Sequence, residues 1–378
     1  MKIYLDNSAS SRPYDEVIDA VSESMKNLYA NSSSLHLAGK NAEDGIEKAR
    51  KTISSYLKCS ADELYFTSGG TESNNIAIFG SARANKRSGM KIITSKVEHP
   101  AVLECFKSLC DEGFETVYIN VDENGIVDVN ELEREVDKNT ILVSIMSVNN
   151  ETGAIMPLEK IGRIIKEKNP DCLFHTDCVQ GFGKVDIDVD KMKLDMLSVS
   201  AHKIHGPKGV GALYIRKKTK IKSPVCGGGH EKGMRSGTLN TSGILGFAKA
   251  CEIIFSKDKE RLSSLKKYFI DEVLKIGDVT LNTPEMSVPN VFNLSFEGVR
   301  SEVLLHVLES KGIFVSSGSA CSSHKKEGGY VLDAMGRNAK QKDSAIRFSP
   351  DEDITKEEID YVISVLKKEV PVLRKIMR

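Results

Sequence analysis

Five short stretches of this 378-residue chain carry residue types that could do chemistry. The first is Thr67-Ser68-Gly69-Gly70-Thr71-Glu72-Ser73-Asn74-Asn75, which follows an apolar run and opens a helical pattern. Small residues let backbone N–H groups approach an anion there, and a helix N-terminus adds partial positive charge. Thr71 can add a hydroxyl donor, and a phosphate is the anion that suits such a loop. The Gly-Lys-Ser/Thr ending of a Walker loop is absent. The second stretch, Leu173 to Gln180, delivers Asp177 at the end of an apolar strand. A carboxylate in that position costs desolvation free energy unless it meets a cation, and a protonated pyridine nitrogen is such a cation. The third, Ser198 to Gly209, puts Lys203 at the end of another apolar strand among small and polar residues. A pocket with other cationic groups would lower its pKa and make the amine nucleophilic.

The fourth stretch, Val97-Glu98-His99-Pro100, holds His99 extended just before a helix-starting proline. Its flat imidazole could stack on an aromatic ring. The fifth runs from Ser316 to Gly329 and places Cys321 among glycine, serine, His324, Lys325 and Lys326. A cysteine there reads as exposed, with its thiolate favoured by the neighbouring cations. Each stretch alone has an ordinary counterpart: a capped turn, a surface aspartate, a solvated lysine, a structural histidine. A phosphate loop, a strand-end aspartate and a strand-end lysine in one chain point together to pyridoxal 5'-phosphate, whose ring nitrogen requires an acidic partner.

The elements that must position these residues alternate. Strand candidates are 63–67, 91–95, 116–120, 141–148, 172–176, 196–200 and 210–215, with helical patterns at 74–87, 101–112 and 158–168 between them. Such alternation predicts a mainly parallel sheet covered on both faces, with ligands at the C-terminal strand ends. After about Phe255 the texture changes. A charged amphipathic helix spans 257–274, strands are expected at 290–296 and 313–316, and another ends at Arg347-Phe348-Ser349. Thr355-Lys356-Glu357-Glu358 is a capping box for a last helix reaching about Glu369. The fold class is therefore α/β, with a large domain over 14–255 and a smaller α+β domain made of 1–13 and 256–378.

Lysine plus arginine and aspartate plus glutamate balance at 53 each. No concentrated basic face is expected, so no direct nucleic-acid binding is either. The N-terminus lacks the apolar core of a signal peptide, and no apolar run is long enough to span a bilayer. A cytoplasmic protein without membrane association is the expectation. The eight cysteines include no C-x-x-C pair, which argues against a structural metal site and for reduced thiols.

These motifs as a set resemble the cysteine desulfurases of the IscS/NifS type, in the class V aminotransferase family with the fold-type I architecture of pyridoxal-phosphate transferases. The likeness spans nearly the whole chain. It includes Tyr4-Leu5-Asp6-Asn7-Ser8-Ala9, the 67–75 loop, Asn149 to Gly153, the Asp177/Gln180 strand end, 200–211, Arg235-Ser236-Gly237-Thr238 and the 316–321 stretch. The resemblance implies a seven-stranded, mainly parallel sheet. It implies that Lys203 bonds pyridoxal 5'-phosphate, Asp177 pairs with the ring nitrogen and His99 stacks on the ring. Asn150 and Gln180 would contact the ring oxygen, Asn150 would also face substrate, and Gly70, Thr71, Ser200 and His202 would hold the phosphate. Thr238 would reach that phosphate from a second subunit, implying a homodimer. Arg347 would bind the substrate carboxylate bidentately.

The activity so implied takes sulfur from L-cysteine, releases L-alanine and leaves a persulfide on Cys321. An acceptor protein in iron–sulfur cluster assembly or tRNA thiolation would then take the sulfur, and Cys321 would be able to ligate a cluster transiently. Selenocysteine lyase, or another class V aminotransferase, is the alternative. The chain departs from the family at Asn31-Ser32-Ser33-Ser34, where Asn-Pro-Ser-Ser is usual, at Ser10-Ser11 in place of a threonine pair, and at Ala201 in place of glycine.

Overall fold

The computed structural model describes residues 2–317 and 329–377. Its main sheet has seven strands in the spatial order Leu64–Thr67, Gly211–Ile215, Met196–Ser200, Leu173–Asp177, Thr140–Ser144, Lys91–Ser95 and Glu115–Ile119. All run parallel except Gly211–Ile215, which is antiparallel to both neighbours. The central strands are buried along their whole length. This matches an apolar run sandwiched between helical layers rather than an alternating half-exposed strand. Thr67, Asp177 and Ser200 end three strands at the same edge, where the α/β architecture places its ligands.

A second sheet has four antiparallel strands, ordered Ser316–Ser317, Ala345–Phe348, Phe292–Phe296 and Val279–Leu281. Phe269 lies 5.1 Å from Phe292 and 5.0 Å from Phe348 between ring centroids, so an aromatic cluster joins the helix Lys259–Leu274 to this sheet. Ile3 and Leu5 are buried in the same cluster, and Ile3–Tyr4 pairs in parallel with Ile313–Phe314. The N-terminal strand thus packs with the C-terminal part of the chain, and residues 6–11 must cross toward the main sheet.

The expected strand 141–148 ends early, at Ser144. Residues 145–148 stay buried, and the Ile145 and Ser147 N–H groups still donate to the His175 and Asp177 carbonyls, but on the other side the Met146 N–H donates to the Glu98 carboxylate at 2.8 Å instead of a strand. The last helix runs Lys356–Ile376, past the expected end at Glu369 and through Pro371. Helices Asp15–Asn27, Leu37–Tyr56 and Thr241–Ile254 were not singled out from the sequence. Among the described residues no helix is long and apolar enough to cross a membrane.

Candidate active site

The turn after Leu64–Thr67 is shaped by glycine. Gly69 has φ +152°, and a Cβ on Gly70 would lie 2.5 Å from Val179 Cγ2. A Cβ on Gly211 would lie 2.7 Å from the Gly69 Cα. A side chain at Gly70 would therefore force either Val179 or the N-terminus of helix Gly70–Asn85 to shift. The same Cβ would be 3.8 Å from Ser200 Cβ, so the ends of three strands meet at this point. Thr71 is exposed on the first helical turn, and Ser200 is buried.

Asp177 is buried, with Oδ2 accepting from Asn74 Nδ2 at 2.7 Å and Oδ1 from the Val179 N–H at 2.9 Å. Among the described residues no cation hydrogen-bonds it. One strand-neighbour inward, His175 bridges three strands, with Nδ1 2.8 Å from Ser144 Oγ and Nε2 3.0 Å from Ser198 Oγ. Burial lowers its pKa to about 3, so it is a neutral spacer under the site.

His99 caps helix Pro100–Asp111, its Nδ1 accepting from the Ala101 N–H at 3.1 Å. With Nδ1 an acceptor, the proton of the neutral ring sits on Nε2. The ring opens to solvent, but the protein around it lowers its pKa. Asp177 opposes that shift and Lys203 adds to it, so the field of both reaches this imidazole.

Lys203 ends the short turn Ala201–Lys203 that follows Met196–Ser200. Its Nζ donates to the carbonyls of Ser8 at 2.5 Å and Ala9 at 2.8 Å. Gln180 Nε2 donates to the same Ser8 carbonyl at 2.9 Å. The crossing segment 6–11 therefore forms one wall. Ser10 Oγ lies 3.3 Å from His202 Nδ1, and Ser11 Oγ donates to the His202 carbonyl at 2.9 Å, so the serine pair supplies the two hydroxyls of the family's threonines. Burial lowers the His202 pKa to about 4, with Lys203 and Lys208 pushing the same way.

Arg347 closes the far side. It is buried, with one terminal nitrogen 2.8 Å from Asp6 Oδ1 and the other donating to the Asn150 carbonyl at 3.1 Å. The Asn150 Oδ1 and Arg347 Nε atoms are buried without a hydrogen-bond partner. Burial pushes the Glu151 pKa up to about 7 against the pull of Arg347. Ser316–Ser317 pairs with the Arg347 strand, and Tyr330 Oη donates to the Glu98 carbonyl at 2.7 Å. Cys321 and the stretch 318–328 lie outside the described residues. Thr238 is exposed, and no described contact brings it to Gly70 or Thr71 of its own chain. Its segment is held by Arg235 on Glu72 at 3.1 Å and by Arg50, whose guanidinium meets both oxygens of Glu231.

Sequence reasoning assigned no role to Asn74, Asp6, Glu98 or Lys184. Asn74 and Asp6 lie inside stretches already singled out, and an asparagine buried in a helix interior is a signal that its amide serves another group. Glu98 is fully buried, accepting from Ser95 Oγ at 2.7 Å and the Met146 N–H at 2.8 Å, while its Oε2 has no partner. Burial raises its pKa to about 8 from 4.5. From about pH 4.5 to 8 the unfolded chain has released a proton that the fold retains, so stability falls with rising pH across that window and levels off above it. Glu98→Gln mimics the protonated acid. It is expected to match wild type near pH 4.5 and to exceed it by roughly 3–5 kcal/mol at pH 9. Scanning calorimetry at the two pH values checks this. Parallel unfolding temperatures for variant and wild type would contradict it.

The donor set fits pyridoxal 5'-phosphate. It offers a glycine-lined helix N-terminus for the phosphate, a buried carboxylate short of a cation, a neutral imidazole beside it, an amine, and an unpartnered amide oxygen at Asn150. Among the described residues there is no group of three or more potential metal ligands. The family model described as Aminotransferase class-V matches residues 3–362. The chain is 46% identical to a cysteine desulfurase IscS from Dictyoglomus turgidum, over 99% of this chain and 96% of that one. A solved NifS-like protein superposes with a TM-score of 0.93 at 39% identity, covering 99% of this chain and 100% of that one. A structure titled SspA in complex with cysteine superposes with a TM-score of 0.84 at 32% identity, covering 93% and 99%. The chain belongs to the class V aminotransferase family, among its cysteine desulfurases of the IscS/NifS type.

Proposed function

We infer that this protein is a pyridoxal-phosphate-dependent cysteine desulfurase. The observation that carries the reading is Asp177, a buried carboxylate at a strand end with two neutral donors and no cation among the described residues, facing the same site as Lys203 and His99. A protonated ring nitrogen would compensate it. Gly70, Thr71, Ser200 and His202 would hold the phosphate, His99 would lie on the ring, and Asn150 and Gln180 would meet the ring oxygen. When bound, pyridoxal phosphate draws electrons from the substrate Cα and so makes its proton removable.

This chain's residues do the rest. Arg347 exchanges part of its contact with Asp6 for the substrate carboxylate. The Lys203 amine, held on the Ser8 and Ala9 carbonyls with its field felt at His99, takes and returns the Cα proton. The Cys321 thiolate attacks the substrate sulfur. An S–S bond forms, the substrate C–S bond breaks, and the bond pair stays with carbon. In sum, L-cysteine and the Cys321 thiol give L-alanine and the Cys321 persulfide. Sulfur is oxidised as carbon is reduced, so no outside oxidant is needed.

Division into a large domain, 14–255, and a small one, 1–13 with 256–378, fits the packing of Ile3 and Leu5 against the C-terminal core. A homodimer fits the exposed Thr238, anchored beside the first turn of helix Gly70–Asn85 by Arg235 and Glu72 and free to face a second copy. A cytoplasmic setting and a protein acceptor of the persulfide sulfur, in iron–sulfur assembly or tRNA thiolation, complete the proposal. The test is a substrate panel with the purified, cofactor-loaded protein. L-cysteine with a reductant should give equal amounts of alanine and sulfide. Turnover of selenocysteine with none of cysteine, or transamination without sulfide, would replace this reading with the lyase or aminotransferase one.

A further inference from the structure

Lys184 takes no part in the chemistry above, yet its amine is built into the wall of the site. The chain leaves Leu173–Asp177 through a tight coil in which the Phe182 N–H donates to the Cys178 carbonyl at 2.8 Å and the Lys184 N–H to Gly181 at 2.9 Å. The coil sets Gln180 and Lys184, four positions apart, on one side. It needs its glycines: a Cβ on Gly181 would lie 2.4 Å from Ser147 Oγ, and Gly183 has φ +79°. Lys184 Nζ donates to Gln180 Oε1 at 2.8 Å. Gln180 Nε2 donates to the Ser8 carbonyl, which also accepts from Lys203.

Both ends of this chain of bonds dictate the same amide orientation. The lysine ammonium has donors only, and the Ser8 carbonyl accepts only. A flipped Gln180 would set N–H against N–H at Lys184 and oxygen against oxygen at Ser8. Gln180 is buried, so water could not relieve either clash.

We propose that Lys184 is a positioning residue: by holding Gln180 Oε1 it turns the Gln180 amide nitrogen toward the ring oxygen of the cofactor. The inference rests on the proposed contact between Gln180 and that oxygen. With one N–H on Ser8, the other is left to donate to the ring oxygen and favour its anionic form. The charged groups acting on Lys184 are Glu352, which supports its charge, and Lys203 and Arg347, which oppose it. Burial outweighs these and lowers its pKa to about 7. The ammonium dictates the orientation from its end; the neutral amine can still donate to Gln180 Oε1 but also carries an accepting lone pair, and then the Ser8 carbonyl alone excludes the flip.

Removing Lys184 also removes a positive charge near Lys203, which would move the cofactor's titration in the same direction. A double-mutant cycle separates the two effects. The pH midpoint of the bound cofactor's visible band is measured by absorbance for wild type, K184M, Q180A and K184M/Q180A. Q180A should raise the midpoint, K184M should raise it by up to about one pH unit, and the double variant should go no further than Q180A. A K184M shift that persists undiminished in the Q180A background would mean a direct charge effect and overturn the proposal. So would an unmoved midpoint in K184M alongside a shifted one in Q180A, which leaves the Gln180 contact standing. An unmoved midpoint in Q180A would remove the contact and the inference together. Should K184M not fold, K184Q enters the same cycle. Its shorter side chain cannot reach Gln180 Oε1 as Nζ does, and an unchanged midpoint there also overturns the proposal.

Discussion

Lys203→Ala should lower alanine formation from L-cysteine by about 10³-fold or more while the protein still folds. The amine is held at a strand end on two carbonyls of the crossing segment, and its field is felt at His99. No other lysine amine is bonded to those carbonyls among the described residues. The half-buried Lys184 amine is occupied by Gln180. The cost to folding should stay near 1–2 kcal/mol, because the Ser8 carbonyl keeps Gln180 as a donor and Lys203 is only half-buried. Alanine assays on the reconstituted variant, with circular dichroism as the folding control, check this. A rate within about tenfold of wild type would assign the proton transfer to another group.

The central strands were legible because short apolar-rich segments, buried along their whole length, alternate with helical patterns: Lys91–Ser95 and Met196–Ser200 carry the expected bounds. Thr140–Ser144 was overread because burial and the bonds to Leu173–Asp177 continue past Ser144 while pairing on the other side stops. Residues 145–148 pack inside, but Glu98 takes the Met146 N–H, and no local pattern reveals a carboxylate from 48 residues away. The helix through Pro371 was cut short for the converse reason. A proline removes one donor, and packing of Val370 and Leu373 against the small sheet's core holds the helix across it.

The site divides in the same way. Asp177, Lys203 and His99 sit at element ends, where strand and cap signals mark them. Their supports come from remote chain: Ser8 and Ala9 under Lys203, Asp6 on Arg347, Asn74 on Asp177. The contacts of Asp6, Ser8 and Ala9 depend on how the N-terminal segment crosses between the two sheets, and that of Asn74 on how its helix lies against the sheet, neither of which spacing alone encodes. Lys184 was missed because an exposed and a buried lysine look alike in sequence. Only the i, i+4 relation to Gln180 hinted at a pair.

Cys321→Ser should cut persulfide and alanine formation by roughly 10³-fold, about 4 kcal/mol of barrier, while the cofactor still binds. A hydroxyl stays protonated at neutral pH and is a poor acceptor of sulfur, whereas a thiolate is ionised and soft. The described ends of its stretch are tied to the site, Ser316–Ser317 by pairing with the Arg347 strand and Tyr330 by its bond to the Glu98 carbonyl. Most other thiols are disqualified by burial, which pushes Cys59, Cys105, Cys172 and Cys178 up to about 12 and Cys251 well above its ordinary value. Cys110 and Cys226 are exposed and remain as competitors. The deciding measurement is mass spectrometry of the peptides of wild-type protein after brief exposure to L-cysteine. One added sulfur on the Cys321 peptide, formed in step with alanine and absent from Cys321→Ser, is the expected result. Added sulfur on the Cys110 or Cys226 peptide, or alanine released at the wild-type rate by Cys321→Ser, would contradict the desulfurase mechanism.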